Sequence, residues 1–245
     1  MARRLRFFAF ALLAFAASYV LVGFIADQVA RRVSSETEAT LFASAFAAMP
    51  APTSEREHAG PARANAVLER LLAVVPVRSL PYRIVLWEGD DANAFAVPGG
   101  MIGVTPPLLE VVQSEVGLAF VVAHELGHHE ARHTLRRLGR SLLVGLVVAA
   151  AGGSLPALAQ SAIHAADNSY SREQEREADR FALNAVLRVY GEAGGALEFF
   201  EWLREERGEQ PPLMGYFSTH PLTADRLKEL QAELRALERG EKSVR

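Results

Sequence analysis

The chain has 245 residues, enough for one or two domains with a sizeable core. Its 26 basic and 29 acidic residues give a net charge of −3, and the lack of a basic excess argues against a nucleic-acid binder. Half the residues are apolar and 22% are charged, which excludes a mostly disordered chain. With no cysteine there are no disulfides, thiolate metal sites or Cys nucleophile, so any metal must be held by His, Asp or Glu.

From the N-terminus, Phe7 to Ala26 are 20 consecutive uncharged residues. As a helix they span roughly 30 Å, one hydrocarbon core. Arg3, Arg4 and Arg6 precede them and would stay in the cytoplasm. Residues 1–30 are therefore predicted as a signal anchor, a transmembrane helix with the rest of the chain on the extracytoplasmic side. Cleavage as a signal peptide is the alternative, since residues 14–17 (Ala-Phe-Ala-Ala) offer small residues, but the apolar run continues beyond them.

Residues 31–60 read as a linker with a short helix, closed by Pro50, Pro52, Gly60 and Pro61. Residues 61–245 read as one domain. A helix is expected over 62–75, with Ala66, Leu68, Leu71, Leu72 and Val75 as its apolar stripe. Tyr82–Trp87, Asn93–Val97 and Met101–Val104 read as strands, with turns at Gly89-Asp90-Asp91 and Gly99-Gly100. Pro106-Pro107 opens a helix, and a longer one is predicted from Glu115 to Leu138. A second apolar stretch, Ser141–Ile163, is broken by Gly152-Gly153 and Pro156. It reads as helices packed on the domain or resting on a bilayer surface.

The chemistry is predicted on the long helix, which carries His124-Glu125-Leu126-Gly127-His128. At 3.6 residues per turn, His124 and His128 share a face and can grip one zinc ion. Glu125 stands beside them, placed to take a proton from an attacking water. Phe120-Val121-Val122-Ala123 carries the motif into the core, where a His pair beside a carboxylate is costly without a partner ion.

A zinc site with an open position needs a third ligand, and three candidates compete. His129 points about 100° away from His128 and reads as solvated. His133 lies nine residues after His124 without the helix-breaking Gly of the metzincin pattern, and reads as an exposed helix residue. The third candidate is Ser171-Arg172-Glu173-Gln174-Glu175-Arg176-Glu177-Ala178-Asp179, a helix start capped by Ser171. There Glu175 and Asp179 share a face. Glu175 can bind zinc while Asp179 accepts the free N–H of a ligand His. The bland alternative is a solvated charged helix.

HELGH followed about 50 residues later by Glu-x-Glu-Ala-Asp resembles the M48 peptidases, the family of the Ste24, HtpX and BepA-type proteases. Asn93-Ala94-Phe95-Ala96-Val97-Pro98-Gly99-Gly100 is similar to the strand before that family's active-site helix, and Ser218-Thr219-His220-Pro221 with Arg226 to its C-terminal His-Pro motif. The resemblance covers about residues 60–235. It implies a zincin-like (gluzincin) α+β fold, mostly helical, with a small sheet beside the active-site helix and one N-terminal membrane helix ahead of it. It implies one Zn2+ per chain held by His124, His128 and Glu175, with Glu125 as general base. Glu175 is preferred to Glu177 because the family ligand stands four residues before the Asp. HtpX-type members carry several membrane helices and this chain one clear span, which points to the exported BepA-like branch.

The same resemblance places His220 near the zinc, either closing the open position or stabilising an oxyanion; Arg226 is expected either to pair with an acidic group at the site or to share that oxyanion role. Asn93, Ala94 and Phe95 are expected to pair with an extended substrate backbone. The expected function is endopeptidase action on misfolded or misassembled envelope proteins, at the inner membrane or, after cleavage, in the periplasm. A catalytically silent, chaperone-like zinc protein is the alternative, and a hydrolase of non-peptide bonds a third class. An intact Glu125, which has no ligand role, argues against the silent protein.

Overall fold

The computed structural model of the chain describes residues 2–47, 59–139, 170–207, 220 and 224–239. They fall in two units, Met1–Val33 with Thr134–Asn168, and Ser34–His133 with Ser169–Arg245. Of residues 31–60, expected as a linker with a short helix, Ser35–Ala47 form one helix.

In the first unit, helix α1 (Ala2–Arg32) contains the whole uncharged stretch in one piece. Phe7, Phe10, Val20, Leu21 and Phe24 on it are exposed. Near its end Ala26 and Ala30 are buried, and Asp27 pairs with Arg136 at 2.7 Å. Among the described residues no helix is long and apolar enough to cross a membrane. Many side chains between Phe8 and Val22 fall outside the described set, as does the whole stretch 141–163.

The second unit is mostly helical with a small mixed sheet. It contains α2 (Ser35–Ala47), α3 (Ala59–Val74), β1 (Arg83–Leu86), β2 (Ala94–Val97), β3 (Met101–Val104), α4 (Pro106–Val111), α5 (Glu115–Glu130), α6 (Arg172–Tyr190), α7 (Glu198–Arg207) and α8 (Ala224–Glu238). The sheet order is β1-β3-β2, with β1 parallel and β2 antiparallel to β3. Gly99 and Gly100 turn the chain between β2 and β3 at φ 90° and 91°, which side chains with a Cβ rarely adopt. The buried Glu38 of α2 holds this turn by accepting from Gly99 N at 3.1 Å and from Arg78 at 2.8 Å.

α3 buries Ala64, Val67, Leu68 and Leu71, and Val75 just past its end is buried as well, while Ala66, expected in the stripe, faces solvent. The 3.6-residue period selects 64, 67, 68, 71 and 75 as one face. α5 is different, because every residue from Gly117 to His129 is buried. An apolar run without a polar face has to be surrounded, and α3, β2, α6 and α7 pack on it. Leu118 and Leu126 of α5, with Leu71, Ile102, Leu108 and Leu183, are fully buried. Each stabilises the core by about 1.5–3 kcal/mol.

Both ends of α5 are specified. Ser114 Oγ accepts from Gly117 N at 2.9 Å, and Glu198 of α7 accepts from Gln113 N and Ser114 N at 2.8 and 3.0 Å. At the other end the helix stops at Glu130, not Leu138 as predicted. Arg132 takes φ 56°, a left-handed conformation that costs a non-glycine residue about 1–2 kcal/mol, and helical structure resumes at 133. α6 starts on a full capping box, with Ser171 and Gln174 each accepting from the other's backbone N–H. It lies tightly on α5, because a Cβ on Gly127 would stand 3.0 Å from Ala178 Cα.

Candidate active site

α5 and α6 cross where Gly127 meets Ala178, and this close approach brings three predicted residues together. His124 and His128 lie one turn apart, both fully buried, with their Nε2 atoms 3.1 Å apart. Glu175 of α6 faces them, Oε2 3.6 Å from His124 Nε2 and Oε1 3.5 Å from His128 Nε2. His220 completes the group, its Nδ1 3.3 Å from His124 Nε2 and 3.2 Å from Glu175 Oε1. Ligand atoms of all four residues lie within 4.8 Å of one another.

These separations test whether the site fits zinc. Nitrogen and oxygen donors about 2.0–2.2 Å from a tetrahedral zinc stand about 3.3–3.6 Å from each other. Five contacts among these donors run from 3.1 to 3.6 Å within a group no wider than 4.8 Å, and the donors are imidazole and carboxylate, as zinc prefers. His124, His128 and Glu175, with or without His220, would hold the ion.

The carboxylates behind the donors set their electrostatics. Asp179 Oδ1 stands 2.9 Å from His124 Nδ1, which favours a proton there and turns Nε2 toward the centre. Burial alone would lower the His124 pKa, but Asp179 and Glu175 outweigh it and push it up to about 9. Burial dominates at His128 and holds it well below the usual imidazole value. Glu175 and Asp179 are both held below the usual carboxylate range against their burial, Glu175 by the charges of His220 and Arg226, and Asp179 by Arg226. Arg226 donates from Nε and Nη2 to Asp179 at 2.6 and 2.7 Å, and its Nη1 stands 2.5 Å from Glu175 Oε2. Its three guanidinium nitrogens thus clamp the two carboxylates, the pairing with an acidic group that was one of its two expected roles.

Glu125 is fully buried, and among the described residues neither oxygen accepts a hydrogen bond. His220 Nε2 stands 3.5 Å from Oε1. A buried carboxylate with both oxygens spare is costly and needs a use. Of the expected substrate residues, Ala94 is fully buried, and Phe95 packs edge-on against Trp87 and lies over Gly103. Asn93 N donates to Thr105 Oγ1 at 2.9 Å. Ala94 and Phe95 lie in β2, the sheet edge next to α5, and Asn93 stands just before it.

Two residues expected at the surface are buried. His129 is 2% exposed, held neutral by burial with a pKa lowered to about 4, and its Nε2 lies 3.2 Å from Met101 O. It faces the sheet because α5 is enclosed on all sides. His133 is fully buried because the turn at Arg132 swings it inward, placing its Nδ1 3.0 Å from His128 Nδ1. The sequence reading missed Tyr170 altogether. Its ring stacks on His128 at 3.7 Å and 16°. It stands directly before the Ser171 cap, the one signal that could have found it.

Residues 60–234 match peptidase family M48. The chain belongs to that family. M48 peptidases are zinc metalloproteases, and this chain carries the metalloprotease domain of the family with a donor group that fits the ion. It is similar to the mitochondrial metalloendopeptidase OMA1 of Schizosaccharomyces pombe, at 29% identity over 67% of this chain and 50% of that protein. It is similar to a putative beta-barrel assembly-enhancing protease of Vibrio cholerae, at 30% over 68% and 37%. The corresponding protease of Yersinia pestis matches at 28% over 67% and 37%. The chain spans half or less of the length of these M48 relatives.

Proposed function

We propose that this M48 chain is a zinc endopeptidase, held at a membrane by α1, that cleaves misfolded or misassembled envelope proteins. The observation that carries the catalytic reading is Glu125, a buried carboxylate with two spare oxygens beside a four-donor cluster. Bound by His124, His128 and Glu175, zinc supplies a Lewis acid that acidifies water and polarises a peptide carbonyl. Glu125 takes the proton from the attacking water and delivers it to the leaving amine. Asp179 orients His124, and Arg226 holds Glu175 and Asp179 ionised in place. The sheet edge formed by β2, with Asn93 just before it and Ala94 and Phe95 in it, accepts the substrate backbone as an added strand. The exposed apolar side chains of α1 and the arginines before them support the anchor. The envelope substrate rests on the beta-barrel assembly-enhancing relatives.

His220 acts as a gate in this reading, because its Nδ1 already stands among the donors and within reach of the same ion. Kinetics separates this from an oxyanion role. A gate predicts that His220→Ala raises cleavage of a small peptide by the full-length chain. An oxyanion donor predicts a fall of roughly 10²–10³ in kcat. In either case Glu125→Gln abolishes casein cleavage, and a Glu125→Gln enzyme that still cleaves casein contradicts the catalytic reading.

A further inference from the structure

We propose that His133 is a positioning residue for the zinc ligand His128, and that Glu177 anchors it, forming a two-residue relay behind the metal site. The proposal rests on the zinc reading above and adds residues to it.

His128 turns Nε2 toward the donor cluster, so its outward nitrogen is Nδ1. For Nε2 to offer a lone pair to a cation, Nδ1 must carry the proton, and that buried N–H needs an acceptor. His133 Nδ1 stands 3.0 Å away, in a fully buried ring. If His133 Nδ1 accepts, its own proton is on Nε2, and the Glu177 carboxylate stands 3.3 Å from Nε2, an ion-pair contact rather than an aligned hydrogen bond. The negative charge of that carboxylate favours the proton on His133 Nε2, which leaves Nδ1 as the acceptor for His128. His124 meets the same need directly, through Asp179.

The backbone supports this assignment independently. Had α5 continued, His133 would lie about 140° round the helix from His128, out of reach. Arg132 is the one non-glycine with positive φ among the described residues, and it stands immediately before His133. That turn is what returns His133 to His128. Tyr170, stacked on the His128 ring, closes its remaining freedom.

The test measures zinc affinity of the purified full-length chain by competition with a chelator, together with the visible spectrum of the cobalt-substituted protein. Neither readout depends on peptide cleavage. His133→Leu leaves the His128 N–H without an acceptor and should weaken zinc binding about 10–100-fold and shift the cobalt bands. His133→Asn places an amide oxygen where Nδ1 stood and should restore affinity to within about threefold of wild type. Glu177→Gln, at a side chain 56% exposed, should leave folding intact and weaken zinc roughly fivefold, less than loss of a direct partner. Wild-type affinity in a folded His133→Leu chain overturns the proposal, as does His133→Asn binding as weakly as His133→Leu. Should His133→Leu not fold, Glu177→Gln decides: weakened binding sustains the relay and unchanged binding overturns it. A wild-type chain that binds no zinc contradicts the site itself, which sets that failure apart.

Discussion

Tyr82 shows how the scaffold beside the site is held at the level of single side chains. Its hydroxyl donates to Glu130 at 3.0 Å, and Glu130 also accepts from Arg78 N at 2.6 Å. Burial first, and then the Glu130 charge, push the Tyr82 pKa well above its ordinary value of 10. The folded chain thus keeps this proton where the unfolded chain has lost it. The contribution is complete below about pH 10 and is lost as the pH rises further. Thermal midpoints of wild type should fall between pH 9 and 11 more steeply than those of Tyr82→Phe, and parallel curves would contradict the assignment. At this scale the sequence was legible where spacing alone decides. His124 and His128 share a face because four residues make one helical turn, and the Glu175–Asp179 pair follows the same rule. His133 was not legible, because its position depends on a left-handed Arg132 that no Gly, Asn or Pro announces.

Among the elements, the packing of α6 on α5 decides the metal geometry. Gly127 sits inside the HELGH motif, and a Cβ there would meet Ala178 Cα at 3.0 Å and Ala178 O at 3.2 Å. Both partners are backbone and cannot swing aside. Gly127→Ala should therefore push α6 outward, costing about 1–3 kcal/mol in denaturant unfolding and weakening zinc binding with it. Wild-type stability and zinc affinity in that variant would show that the helices have room to spare. The strands, the Pro-opened α4 and the capped α6 were legible from local turn and cap chemistry. The end of α5 was not, since nothing in Glu130-Ala131-Arg132 breaks a helix. Nor were the burial of His129, which follows from packing on every side of α5, and the switch of the α3 stripe from Ala66 to Ala64 and Val67.

For the whole molecule, the site constrains topology. His124 and Glu175 precede and follow the apolar stretch 141–163, and they face each other at 3.6 Å. A single crossing by that stretch would put them on opposite sides of a membrane. Reporters fused after residue 140 and after residue 200 should therefore report the same compartment, and opposite compartments would contradict the site. The 20 uncharged residues behind three arginines were legible as one helix, and its role as an anchor crossing a bilayer is a proposal that the same fusions address.

The central claim is that His124, His128 and Glu175 hold a zinc on which Glu125 depends without binding it. Zinc content per purified chain, measured beside casein cleavage in Glu125→Gln, Glu175→Gln and Glu177→Gln, tests this most directly. The account predicts one zinc per chain and no cleavage in Glu125→Gln, because the proton acceptor is lost while the donors remain. It predicts loss of both metal and cleavage in Glu175→Gln, and retention of cleavage by Glu177→Gln when zinc is in excess. Full metal and activity in Glu175→Gln, with both lost in Glu177→Gln, would contradict it.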